Sequence, residues 1–344
     1  MSDETVTASG RALRFVRDRR HLVLLAVRYG LFVAMAVWVI FMSLASEHFL
    51  TVSNILNVAR QAAPIVIIGV GMTFVMAIAG IDLSVGSLVA LVSVLIVTLF
   101  GLGLPNYVVV PSVLAVGLIA GLTNGIFVRL GLPPFVVTLA TLTTFRGIAF
   151  VITGGYATPV EDDVVLWLGR GQIDELHVPI VIAAAVAIVG WIVLTTTRFG
   201  LYSLAVGARE EAARAMGINV GRIKLAVYGG IGILAALGGI VLTGRLGNGS
   251  PNAGMSLELD VIAATVLGGT SLFGGVATVG GTVAGALFLN AVRNGLNLLG
   301  VDPFWVQVVT GIILLLAVLM NTIVNRRVSE WARAVPVDET EPER

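Results

Sequence analysis

Apolar residues in this chain are gathered into runs separated by short polar or glycine-rich breaks. The runs lie near 29–45, 62–79, 84–100, 107–128, 135–153, 179–196, 225–243, 261–270, 276–292 and 304–324. Most of them approach the roughly 20 apolar residues that carry an α-helix across a bilayer core. None shows the period-two alternation that a membrane barrel strand requires. The pattern predicts an all-α polytopic membrane protein with about ten transmembrane helices, the eighth short and ended by glycine. A single spanning domain, 29–324, is framed by polar tails over 1–28 and 325–344 and interrupted by longer polar loops over 154–178 and 197–224.

Charge assigns the sides. Cytoplasmic loops of membrane proteins carry an excess of Lys and Arg. Let both tails, 129–134, 197–224 and 269–275 lie inside. Then of the 21 Lys and Arg only Arg60, Arg170, Arg245 and Arg293 fall outside, and only Arg146 falls within a span. The outside loop 154–178 is acidic instead, with Glu161, Asp162, Asp163, Asp174 and Glu175. Both termini are therefore expected in the cytoplasm. The first apolar run is too long for a secretory h-region and has no clean cleavage site, so it is kept as the first span.

Composition adds mainly exclusions. The chain is 57% hydrophobic and 12% charged, against about 25% charged in a soluble domain. It has no cysteine, which removes disulfides, thiolate zinc sites and thiol nucleophiles. His21, His48 and His177 are too scattered for metal-ligand spacing. No Ser/His or paired-carboxylate constellation stands in the runs, so neither a catalytic residue nor a metal nor a bound cofactor is expected.

An internal repeat is visible at a separation of about 170 residues. Gly80-x-x-Leu83 recurs as Gly254-x-x-Leu257, Asn124-Gly125 as Asn294-Gly295, and Pro134-Phe135 as Pro303-Phe304. In the ten-helix count the members of each pair fall at equivalent helix boundaries on opposite sides of the bilayer. Helices 2–5 and 7–10 are then inverted copies, an architecture common among transporters. A second register, matching Gly80–Gly86 to Gly269–Gly275, leaves one half a helix short.

A few polar residues stand out against this background. Among the 20 acidic residues, Asp82 alone sits between two long apolar runs, within Gly80-Ile81-Asp82-Leu83-Ser84-Val85-Gly86. A carboxylate at that depth is a candidate for the solute pathway, and glycines on both sides let the helix unwind beside a cavity. The alternative is a short turn in which Asp82 caps the next helix. Arg146, mid-way along the fifth run, needs a partner: either Asp82 or the carbonyls of a broken helix. Thr138, Thr141, Thr143 and Thr144 precede it and either line the same route or bond back to their own helix. Asn54, Asn57 and Gln61 lead into the second helix, where they serve a sugar or an interfacial helix start. Gly229-Gly230 and Gly238-Gly239 read as sites of close helix packing.

The segment 197–224 is the longest cytoplasmic loop. Its centre, 204–218, reads as one short helix ended by Gly217, with Leu204, Ala208, Glu211 and Ala215 on one face. Small residues with a few charges and Met216 suit docking into a groove on another protein. Here the chain resembles a known family. Glu211-Ala212-Ala213-x-x-x-Gly217 is similar to the EAA-type coupling segment by which ABC importer permeases contact their ATPase. Gly80–Gly86 and Gly268–Gly275 resemble signature stretches of the ribose/xylose/galactoside branch of those permeases. Two departures are Ala79, where the family usually has glycine, a sterically mild change, and Ala208-Arg209, where it usually has Gly-Asn.

The resemblance implies a permease subunit in a bacterial inner membrane, usually a homodimer. It would be served by a cytoplasmic ABC ATPase that holds ATP-Mg and by an extracytoplasmic sugar-binding protein, with no nucleic-acid partner. Coupling would fall to Gly207, Glu210, Glu211, Ala212, Ala213 and Gly217. The pathway would involve Asp82, Ser84, Arg146, Asn57 and Thr138. The sequence concurs on one point: its only lysine, Lys224, is not part of a P-loop. The competing reading is a secondary transporter with Asp82 as its coupling carboxylate.

Overall fold

The computed structural model describes residues 30–333, with side chains to residue 323. The tail 1–28 and most of the tail beyond 325 lie outside the described residues. A helix stands at every one of the ten runs: α1 (Gly30–Ala45), α2 (Val52–Ala77), α3 (Val85–Gly101), α4 (Asn106–Arg129), α5 (Pro134–Thr153), α7 (Val178–Thr196), α10 (Val220–Leu246), α11 (Leu257–Leu267), α12 (Val279–Leu298) and α13 (Pro303–Arg333). Six of these, α2, α4, α5, α7, α10 and α13, are long and apolar enough to cross a membrane. The protein is an all-α, multi-pass membrane protein. The loop 154–178 also carries α6 (Asp163–Arg170), which the apolar pattern does not reveal, capped by the Asp162 carboxylate on the Val165 amide. Two-residue strands complete the structure: β1 (Thr158–Pro159) pairs with β4 (Asn248–Gly249), and β2 (Gln172–Ile173) with β3 (Leu176–His177).

Helix α2 forms the centre. From Ala62 to Ala77 every residue is buried. Its neighbours are α7, α10, α11 and α12, and a bond of 2.7 Å between Thr73 and Thr282 hydroxyls ties it to α12. The most extensive helix packing is that of α4 on α10. A Cβ on Gly121 would strike the Tyr228 carbonyl, and one on Gly232 would strike the Gly117 carbonyl. Close approach there is set by Gly117, Gly121 and Gly232; of the two pairs expected from sequence, Gly229, Gly238 and Gly239 pack tightly against Leu122, Ile68 and Val92, and only Gly230 faces open space. Large apolar side chains on α1, α5, α7 and α13 remain exposed, as expected where lipid or another membrane chain is the neighbour.

The packing has an internal symmetry. α4 packs on α10 as α12 does on α2; α3 on α10 as α11 on α2; α3 on α4 as α11 on α12; α3 on α5 as α11 on α13; and α4 on α5 as α12 on α13. Exchanging α2–α5 with α10–α13 maps this set of neighbours onto itself.

Candidate coupling knuckle and central junction

Two regions hold the residues singled out by sequence. The first is the loop 197–224. It is not one helix but two, α8 (Arg198–Ala208) and α9 (Glu210–Ala215). They are separated at Arg209, whose backbone is extended (φ −162°, ψ 99°), so the single face expected over 204–218 is folded into a knuckle. Thr197 caps α8 at the Gly200 amide. α9 ends as predicted: Gly217 takes φ +81°, and the Ile218 amide returns to the Ala213 carbonyl, satisfying end carbonyls that would otherwise be orphaned. Ala213 is buried, whereas Ala208, Arg209, Glu211, Ala215 and Met216 are exposed. Glu210 bridges Arg214 at 2.8 Å and Lys224 of α10 at 2.9 Å. The Lys224 bond, more than any other influence, holds its carboxyl below the usual carboxylate range.

The knuckle sits on the end of α2. A Cβ on Gly207 would collide with the Ala77 carbonyl and come within 2.8 Å of the Gly275 amide, and that amide donates to the same Ala77 carbonyl at 3.1 Å. The stretch Gly268–Gly275 therefore has a structural task. Positive φ at Gly269, Gly274 and Gly275 lays its backbone against Gly207, Ala208 and Ala79. Ala79 itself has φ +59°, a left-handed conformation that disfavours any Cβ by about 1–2 kcal/mol. The change from glycine there is not sterically mild.

The second region is the break between α2 and α3. Asp82 is 2% exposed and does not meet Arg146. Its Oδ1 accepts from the Ser84 amide at 2.8 Å and the Ser84 hydroxyl at 2.6 Å. It closes a turn before α3, the alternative weighed above. Asn124 of α4 donates to Ser84 Oγ at 2.9 Å. Tyr228, wholly buried on α10, donates to the Ile81 carbonyl at 3.3 Å, and Thr138 of α5 lies 3.4 Å from that carbonyl. Thr141, Thr143 and Thr144 bond back within α5. Arg146 donates to the carbonyls of Pro251 and Ala253 at 2.7 and 2.9 Å and reaches that of Gly254. These carbonyls belong to the second break, between α10 and α11, so the arginine sits on a broken-helix end.

The two breaks meet. A Cβ on Gly86 would enter the Glu258 carboxylate and lie 2.7 Å from the Gly254 carbonyl, and one on Gly254 would lie 2.8 Å from the Gly86 carbonyl. Glu258 Oε2 is buried with no hydrogen-bond partner, and its charged neighbours are Arg146 and Asp260. Of the predicted pathway residues, Asp82, Ser84 and Thr138 come together at the first break, and Arg146 belongs to the second. Asn57 stands apart near the other end of α2, accepting from Arg60. Sequence reasoning missed Asn124, Tyr228 and Glu258. Of these, Asn124 stood in the internal repeat and Glu258 at the edge of a run, while Tyr228 left no signal. It also missed the ion pair of Arg293 with Asp260.

A buried helical core with two interlocked breaks and a knuckle seated on one of them is the architecture of a multi-pass membrane protein. The chain belongs to the family described as branched-chain amino acid transport system / permease component, whose model matches residues 54–318, within the ABC importer permeases that its sequence resembles. It is similar to the ribose import permease protein of Haemophilus influenzae, 41% identical over 84% of this chain and 91% of that one. It is 40% identical to the ribose import permease protein of Bacillus subtilis, over 90% of this chain and 97% of that one. It is also 33% identical to the xylose transport system permease protein of H. influenzae, over 86% and 96%. No solved structure gives a significant match.

Proposed function

We propose that this chain is the transmembrane permease of an ATP-binding-cassette importer for a monosaccharide of the ribose and xylose class. The observation that carries this is similarity at about 40% identity, over most of both chains, to ribose import permeases. In this reading two copies form a homodimer in the inner membrane. A cytoplasmic ATPase holds ATP-Mg and grips the knuckle, an extracytoplasmic binding protein delivers the sugar, and the solute crosses by alternating access. Ten spans with both termini inside suit the contacts between loops. Two of the loops counted as inside, 197–224 and 269–275, touch each other and the end of α2 near Ala77–Ala79, and pieces counted as outside join through β1 and β4 and through Arg245 to Gln61. The symmetric packing of α2–α5 and α10–α13 supports the inverted repeat.

The mechanism follows from the seating of α8. Gly207, Ala77 and Gly275 are in backbone contact, so a pull on the knuckle acts directly on the end of α2 and on the break that follows. That break presents Asp82, Ser84 and Thr138, with Asn124 and Tyr228 behind them. Glu211 and Met216 are the exposed groups of the ATPase contact; Glu210 and Ala213 hold α9 in place. The second break, held by Arg146, is the counterpart that must loosen when the first tightens. The ion-driven alternative is not favoured: the family does not support it, and Asp82 is engaged as a turn cap.

The test separates hydrolysis from uptake. In vesicles holding the permease with its ATPase and binding protein, Glu211→Lys is expected to leave ATP hydrolysis running while sugar uptake falls at least tenfold. Glu211 makes no ion pair among the described residues, so the protein should insert normally. Uptake equal to that of the unaltered chain would remove the knuckle from the coupling role.

A further inference from the structure

At the end of α2 away from the knuckle lies a polar cavity of about 260 Å³, lined by His48, Thr51, Ser53, Asn54, Asn57, Arg60 and His177. Of its lining residues only Asn57 was expected in the pathway, and it stands apart from the central junction. Two nitrogens in this group, Arg60 Nε and His177 Nδ1, are buried without any hydrogen-bond partner. Buried polar atoms are nearly always satisfied, and each exception asks for an explanation.

Both orphans are donors. The Gln172 side-chain nitrogen stands 3.0 Å from His177 Nε2. With that amide donating, the neutral ring carries its proton on Nδ1. Burial first, and the Arg60 charge second, push His177 below the usual imidazole range, so the neutral ring is the form present at pH 7. Arg60 spends one terminal nitrogen on Asn57 Oδ1 at 3.1 Å.

The charges point the same way. Arg60 is the cationic neighbour of both His177 and Arg245. No carboxylate lines the cavity, and none pairs with Arg60, Arg245 or His177 among the described residues. An unpaired guanidinium in the cavity, with Arg245 behind it and buried, unused N–H groups beside it, is complementary to an anion that accepts hydrogen bonds.

We propose that this cavity binds a single oxyanion group, a carboxylate or a phosphate, between Arg60 Nε and His177 Nδ1. On the orientation proposed above it opens to the outside. Two sources share this chemistry: a free small anion, and a carboxylate side chain on a protein docked at that face.

The experiment is a thermal-unfolding titration of the full chain in lipid nanodiscs at constant ionic strength, with inorganic phosphate or acetate replacing chloride. Each is expected to raise the melting temperature saturably. Which of the two acts at the lower concentration tells a phosphate from a carboxylate group, and a further rise on adding the extracytoplasmic binding protein, competed by acetate, assigns the source to a protein carboxylate. Arg60→Gln and, separately, His177→Asn should raise the half-saturating concentration at least tenfold. In chloride, Arg60→Gln should melt no lower than the unaltered chain, because it relieves a repulsion. No saturable response to either anion, or an unchanged response in both variants, would overturn the assignment. Transport is not measured, so failure here leaves the importer reading untouched.

Discussion

Asp82 and Arg146 are the two charged residues whose depth in the apolar pattern marked them out, and each spends its charge on backbone or a near neighbour. Asp82 serves as an acceptor for Ser84, a role asparagine can fill through its own Oδ1. Asp82→Asn is therefore expected to retain most sugar uptake. Asp82→Ala should cost about 1 kcal/mol, the usual worth of such a cap, read as a lower melting temperature. Complete loss of uptake in the asparagine variant, with ATP hydrolysis intact, would return the carboxylate to a coupling role. Arg146→Gln should cost more, because three carbonyls at the second break lose their donor; unsatisfied buried groups cost about 1–3 kcal/mol each. Ala79→Gly runs the other way. Removing the Cβ from a residue at φ +59° should stabilise by about 1 kcal/mol. The turn at Asp82 was legible in sequence because Gly80 and Gly86 flank it. The missing Asp82–Arg146 pair was not, since sequence gives a residue's depth along its helix but not which break its helix faces.

Among the elements, α8 and α9 are the pair on which the proposed mechanism turns. Gly207→Ala would force α8 off the end of α2, against backbone that cannot yield. Overpacking of that kind costs about 1–3 kcal/mol, and reduced coupling should accompany the lost stability. Glu210 fastens α9 to α10, and its pH dependence has a defined sign. Its folded pKa lies below the ordinary 4.5, so the stabilisation is present above that value and is lost as pH falls through the folded pKa. Limited proteolysis of 209–218 should therefore quicken only in the acid range, and Glu210→Gln should remove that dependence. The terminus at Gly217 was visible from its glycine. The break at Arg209 was not, because Ala208-Arg209-Glu210 has ordinary helix propensity and seating on α2 overrides it. Helix α6 escaped detection for a related reason: only eight residues long, it is held by Asp162 and by contact with α10 rather than by a long apolar run.

For the whole molecule, runs of apolar residues proved sufficient to locate helices but not to say which of them cross. α11 and α3 are short because their starts are drawn inward to meet at Gly86 and Gly254, an approach that no single stretch of sequence reports. The weak Gly, Asn and Pro echoes between the two halves gain physical meaning in the symmetric packing, where α2 and α10 change places. That symmetry makes the chain a pair of interlocked halves, and in the proposed mechanism the knuckle is their one handle. The most direct measurement is uptake of ribose and of xylose into proteoliposomes containing the permease with its binding protein, with and without the ATPase and ATP, across an imposed proton or sodium gradient. Concentrative uptake is expected only when ATPase and ATP are both present, whatever the gradient. Accumulation by the permease alone, driven by the ion gradient, would contradict the account.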